Sequence, residues 1–156
     1  MNRIYKTYYD SPIGYLEIQG TEQEILSIMF VEQKCKNEEI PLLMECGKQL
    51  DEYFKGVRRE FTISLMLKGT EFQRKVWNEL IKIPFGDTST YKDIAQLVGN
   101  IKAVRAVGSA NSKNTLSIIV PCHRVIGSNY ALRGYAGGIW RKEWLINHEK
   151  EFKPLK

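Results

Sequence analysis

The chain has 156 residues, 43% hydrophobic and 26% charged, an ordinary balance for a globular protein of one domain or two small ones. No apolar run reaches the roughly 20 residues of a membrane span, Met1–Lys6 lacks the apolar core of a secretory signal, and three cysteines without a Cys-x-x-Cys pair argue against a disulfide framework. The expected compartment is therefore a reducing cytoplasm. The net charge of +5 is unevenly spread: residues 1–66 hold 8 Lys/Arg and 11 Asp/Glu, whereas 67–156 hold 15 Lys/Arg and 7 Asp/Glu. A basic half suits a polyanion such as DNA, although a solvated basic surface fits the same numbers.

In chain order, Tyr5–Tyr9 and Tyr15–Gln19 flank the turn signal Asp10-Ser11-Pro12-Ile13-Gly14 and predict a hairpin. Ile25–Val31 reads as a third strand. Ile40–Phe54 carries Leu42, Leu43, Cys46, Leu50, Tyr53 and Phe54 at helical spacing, and Gly56 ends it. Phe61, Ile63 and Leu65 alternate and predict a fourth strand. A boundary near Leu67–Gly69 follows. Thr70–Ile83 places Phe72, Val76, Trp77, Leu80 and Ile81 on one helical face, and Pro84-Phe85-Gly86-Asp87 breaks it. Thr90 and Asp93 fit a capping box opening a helix over Tyr91–Val98, which stops at Gly99. A second helix, about Ala103–Ala110, completes a helix-turn-helix. It is rich in small residues and carries one long cation, Arg105. Gly134-Tyr135-Ala136-Gly137-Gly138 is a loop, and Ile139–Glu149 a closing helix. The fold class is thus mixed α/β (α+β): a small sheet-and-helix domain over 1–66, then a mostly helical domain over 67–156.

Pro121-Cys122-His123-Arg124 lies between the apolar runs Ser117–Val120 and Val125–Gly127. Such flanks imply a buried strand, which has no packing use for an imidazole and a guanidinium. Burial raises a thiol pKa, and adjacent cations lower it. A lone buried Cys usually serves as a small hydrophobe. Beside His123 and Arg124, Cys122 reads instead as a nucleophile and His123 as its proton acceptor. A base needs an orienting carboxylate, for which Glu149 is one possibility. Cys46 reads as core, Cys35 as an exposed loop residue, and His148 as packing on the last helix. Neither His is at metal-ligand spacing, so no metal site is expected. Tyr91 and Arg105, taken singly, fit ordinary packing and a solvated charge.

Together these residues resemble the methylated-DNA–protein-cysteine methyltransferases, also called 6-O-alkylguanine-DNA alkyltransferases. The pattern runs through Gly69-Thr70-Glu71-Phe72-Gln73, Val76-Trp77, Ile83-Pro84, Tyr91, Ile94-Ala95 and Arg105-Ala106-Val107-Gly108. It continues through Asn114, Ile119–Ile126, Gly134–Gly138, Arg141-Lys142 and Glu149. Thr7–Gly14 resembles the family more loosely. The resemblance implies a ribonuclease-H-like first domain and a cofactor-free, single-turnover transfer of an alkyl group from guanine oxygen, less readily from thymine oxygen, to Cys122. It implies that His123, linked to Glu149 and through a water to Cys122, removes the thiol proton. Tyr91 would hydrogen-bond the guanine ring nitrogen, and Arg105, beside Ala106 on the second helix, would fill the gap left by the flipped nucleotide. Asn114 would tie the helix pair to the Cys segment, and Val125, Tyr135 and Ala136 would line the base pocket. The implied partner is duplex DNA containing alkylated guanine, bound through the minor groove by a monomer.

The physical case runs beside the resemblance. Moving a methyl from oxygen to sulfur needs a thiolate and a phenol or lysine donor near the leaving base. The thioether product has no good leaving group, so each molecule acts once. Thr115 stands where the family usually has Pro, and Arg133 occupies a variable position near the pocket mouth. Three other readings compete. A non-enzymatic lesion binder would lack the nucleophile that Cys122 supplies. A cysteine hydrolase or thiol enzyme leaves the helix-turn-helix unexplained, and a DNA-binding regulator would need two-fold symmetry or a second domain.

Overall fold

A computed structural model describes residues 3–129, 131–132 and 134–153; Arg133 lies outside them. The chain divides into two compact units, Met1–Lys68 and Gly69–Lys156.

In the first unit, β1 (Tyr5–Ser11), β2 (Gly14–Gly20) and β3 (Ile25–Val31) form an antiparallel meander. Pro12-Ile13 makes the two-residue turn between β1 and β2. The Ser11 hydroxyl closes it, donating to Gly14 O and accepting from Ile13 N, and Gly14 takes φ +125°. The first helix, α1 (Pro41–Phe54), starts with proline in its first turn, where the missing N–H costs nothing. Its face Leu43, Cys46, Leu50, Tyr53, Phe54 repeats at three- and four-residue steps and buries with Leu16, Ile18, Ile25 and Ile28 of the sheet. Cys46 belongs to that core, where burial pushes its thiol up to about 12.

The expected fourth strand does not form. Only Leu65 bridges to Ile25, through Ile25 N to Ser64 O and Met66 N to Ile25 O. Ahead of that bridge, Gln49 of α1 takes the place of a neighbouring strand. Its Oε1 accepts from Thr62 N at 2.9 Å and its Nε2 donates to Thr62 Oγ1 at 2.9 Å. A buried side-chain amide thus satisfies the backbone that the alternating pattern assigns to a ladder.

The second unit contains α2 (Glu71–Ile81), β4 (Ser89–Thr90), α3 (Tyr91–Leu97), α4 (Val104–Ser112), β5 (Val125–Ile126) and α5 (Ile139–Phe152). Both α2 and α3 open on capping boxes, Thr70 with Gln73 and Thr90 with Asp93. The turn between α3 and α4 passes through Gly99 at φ +91°, a conformation that suits glycine. Trp77 of α2 donates its indole N–H to Ala110 O at 2.8 Å, holding α4 from behind. Among the described residues, no helix is long and apolar enough to cross a membrane.

Candidate active site

The site is organised by a pair of two-residue strands. β4 and β5 pair in parallel, Ser89 with Val125 and Thr90 with Ile126. Tyr91 follows β4 directly, and the 3-10 turn Cys122–Arg124 directly precedes β5. Four residues of sheet therefore set the start of α3 and the Cys122 segment relative to each other. This pairing is absent from the sequence reading because no periodicity exists over two residues.

The segment before Cys122 is a turn, not the strand that its apolar run suggests. Ile119 N donates to Ser117 O and Val120 N to Leu116 O, and Ile118 takes φ +74°. A buried β-branched residue in the left-handed region costs about 1–3 kcal/mol and persists only where its surroundings hold it. Asn114 supplies part of that hold: its Nδ2 donates to Val120 O at 2.8 Å and its Oδ1 accepts from Leu116 N at 2.9 Å. Asn111, three residues earlier on α4, donates to Cys122 O at 3.3 Å. Two asparagines at the end of α4 thus grip the chain on both sides of Cys122.

Cys122 is 4% exposed. Burial raises its thiol, while Asn114 and the Lys142 charge act the other way. His123 is fully buried, and its Nε2 lies 2.6 Å from Glu149 Oε2. A carboxylate there fixes the proton on Nε2, and Nδ1 makes no hydrogen bond among the described residues. Glu149 also accepts from Arg124 Nε (2.7 Å), Arg124 Nη2 (3.1 Å) and Gly86 N (3.2 Å). Burial alone would raise its carboxyl, but His123 and Arg124 outweigh that and hold it well below the usual range.

A cleft of about 570 Å³ opens over the helix pair. Tyr91, Val104, Arg105, Gly108, Ser109, Ser112 and Gly134 are among its lining residues. The α4 members recur at i, i+1, i+4, i+5 and i+8, one helical face. Arg105 is exposed on that face, and Ala106 is exposed beside it, off the cleft lining. Tyr91 is mostly buried, its hydroxyl 3.4 Å from Lys142 Nζ. A Cβ on Gly134 would meet that hydroxyl at 2.9 Å, so only glycine leaves it in place. Val125 is buried at the head of β5, Tyr135 is buried, and Ala136 is exposed in the following loop. His148 stacks on Trp144 near Phe85, apart from the chemistry.

The family model for the 6-O-methylguanine DNA methyltransferase DNA-binding domain matches residues 71–151, and the model for its ribonuclease-like domain matches residues 4–67. The chain belongs to the 6-O-methylguanine DNA methyltransferase family. The methylated-DNA–protein-cysteine methyltransferase of Methanosarcina acetivorans is 44% identical over 94% of this chain and 98% of its own length. The constitutive enzyme of that name from Bacillus subtilis is 45% identical over 94% and 95%. The crystal structure of Mycobacterium tuberculosis O6-methylguanine methyltransferase matches at 39% identity and TM-score 0.89, covering 99% of this chain and 97% of that one. A structure of Mycobacterium tuberculosis OGT in complex with DNA matches at 41% identity and TM-score 0.88, covering 96% and 94%.

Within this methyltransferase chain, sequence reasoning left three site residues without a place. Lys142 is fully buried, donates to the Tyr91 hydroxyl and acts on the Cys122 thiol through its charge. Its signal was a lysine on the apolar stripe Lys142, Leu145, Ile146, Glu149 of α5. Asn111 carried no signal beyond its closeness to Asn114. Arg124 drew notice only as a neighbour of the thiol.

Proposed function

We propose that the protein repairs alkylated DNA directly, moving the alkyl group from the 6-oxygen of guanine onto Cys122. The observation that carries this reading is the buried pair His123 and Glu149 next to the buried Cys122, with the imidazole held at 2.6 Å by the carboxylate and its Nδ1 left open. The thiol proton would pass through a water to His123 Nδ1. The sulfur attacks the alkyl carbon, a C–S bond forms, the C–O bond breaks, and the electron pair moves onto the base. A proton donor then lowers the cost of that developing charge, and the Tyr91 hydroxyl beside the Lys142 ammonium is suited to give it. The product thioether offers no leaving group, so one molecule performs one transfer. No cofactor enters the step.

The target atom lies inside the base stack, so the nucleotide must leave the duplex, at a cost of a few kcal/mol. The exposed Arg105 on α4 would occupy the vacated position, and the small residues Gly108, Ser109 and Ser112 of the same face would let α4 come close in the minor groove. Basic charge concentrated in this half of the chain supports DNA as the partner. Backbone groups of Cys122 and Val125 and the Tyr135–Ala136 loop would hold the extruded base. Every group in this scheme comes from one chain, which supports action as a monomer. Three free thiols suit the reducing cytoplasm.

Intact-protein mass spectrometry after mixing with duplex DNA carrying 6-O-methylguanine tests the reading. The expected result is a gain of one methylene, saturating at one per molecule and confined to the Cys122 peptide. Cys122→Ala should still bind the DNA and gain nothing. Methyl transfer by that variant would overturn the assignment of Cys122.

A further inference from the structure

The scheme above gives work to Cys122, His123, Glu149 and Tyr91 and none to Arg124. Yet Arg124 is buried, and burying a guanidinium is costly unless every charge and donor is matched. The matching is close. Nε and Nη2 take both oxygens of Glu149 at 2.7 and 3.1 Å, and Nη1 donates to Ile83 O at 2.7 Å. The guanidinium carbon lies 5.8 Å from the centre of the Phe85 ring. Carboxylate and guanidinium thus meet in a two-point, planar fit that lysine cannot reproduce in full.

This pairing matters to the neighbouring base. A buried histidine facing an uncompensated carboxylate is drawn toward imidazolium, and an imidazolium cannot take a thiol proton. Of the charged groups facing His123, Glu149 on α5 favours the added proton, whereas Arg124 on the turn and Lys142 on α5 oppose it. Glu149 Oε2 is shared between His123 Nε2 and Arg124 Nη2.

We propose that Arg124 is a positioning residue for alkyl transfer: by holding both oxygens of Glu149 it lets that carboxylate orient His123 without keeping the ring protonated. The proposal rests on the reading of His123 as the proton acceptor. It agrees with the direction of the imidazole's shift, which lies below the ordinary 6.5 through burial, with Glu149 pulling it back and Arg124 and Lys142 pressing it down.

Single-turnover transfer from duplex DNA containing 6-O-methylguanine, followed across about pH 5.5 to 9.5, tests it in the full chain. For Arg124→Met the expected result is a loss that reaches about tenfold or more at the acid end and is recovered as pH rises, with the acid limb moved up by about one unit or more. Arg124→Lys, which keeps the charge, should hold the limb near its wild-type place. A uniform loss at all pH values, or an unmoved limb, overturns the proposal. Should Arg124→Met fail to fold, the wild-type protein still decides. Nitrogen NMR of labelled histidines should find His123 neutral at pH 7 with the proton on Nε2, and an imidazolium there overturns the proposal. If wild type transfers nothing at any pH, the reading of the whole site falls with it; if wild type transfers and only the limb fails to move, Arg124 alone is misassigned.

Discussion

Replacing Glu149 by Gln keeps shape and removes one charge, so it isolates the ionic part of the cluster. Among the donors that converge on this carboxylate are His123 Nε2, Arg124 Nε, Arg124 Nη2 and Gly86 N, at 2.6, 2.7, 3.1 and 3.2 Å. The amide would turn an N–H₂ toward donors and leave the buried Arg124 without a counter-charge. Breaking one side of a buried pair costs about 3–5 kcal/mol. For a chain of this length that corresponds to a fall in Tm of roughly 6–20 °C. The pH dependence should change as well. The Glu149 carboxyl is held below its ordinary 4.5 in the folded chain, so its contribution is present above that value and is lost as pH falls toward the folded one. His123 is depressed from 6.5, so the unfolded chain binds a proton that the buried ring refuses, and stability again declines as pH falls. Wild type should therefore weaken below about pH 6.5 through His123 and further below about 4.5 through Glu149. In Glu149→Gln the second limb should flatten. Urea melts at a series of pH values measure both effects. A loss under about 1 kcal/mol with an unchanged acid limb would refute the picture of a carboxylate shared by a buried guanidinium and a buried imidazole.

Two further outcomes test other parts of the molecule. Arg105→Ala removes an exposed side chain, so stability should move by less than about 0.5 kcal/mol; transfer from duplex DNA should drop far more than reaction with free 6-O-methylguanine base, and equal losses would reject the base-extrusion role. Gln49→Ala should lower stability by about 1–3 kcal/mol and speed hydrogen exchange at the Thr62 amide, whose partner is Gln49 Oε1; unchanged protection at Thr62 would mean that solvent, not Gln49, satisfies that backbone.

Strong periodicity and local turn chemistry made most of the fold legible. The hairpin followed from Ser11-Pro12-Ile13-Gly14, α1 from the spacing of Leu43, Cys46, Leu50 and Tyr53, and α3 from Thr90 and Asp93, because each signal acts within a few residues. The misread elements are those decided by a side-chain hydrogen bond to the backbone. Phe61, Ile63 and Leu65 alternate as a strand should, yet Gln49 from α1 takes up the Thr62 backbone. Ser117–Val120 is apolar enough for a strand, yet Asn114 bends it into a turn with Ile118 at φ +74°. In both cases a side-chain amide supplies what a neighbouring strand would have supplied, and hydropathy is blind to it.

For the site, the thiol and imidazole announced themselves by lying side by side in an apolar segment, whereas their partners came from α5. The stripe Lys142, Leu145, Ile146, Glu149 is buried, with charges at both ends and apolar residues between. Read for amphipathic pattern alone, those charges blur the helix. Read for energy, they say more: an isolated buried ion is prohibitive, so each end of the stripe demands a partner from elsewhere in the unit. Glu149 finds His123 and Arg124, and Lys142 finds Tyr91. The two ends of one helix face thus tie the base to the nucleophile segment and the phenol to the cleft. On the proposed scheme, substituting Lys142 or Glu149 would therefore disturb opposite ends of the same reaction, charge on the leaving base at one and proton removal at the other, although the two residues share one helix.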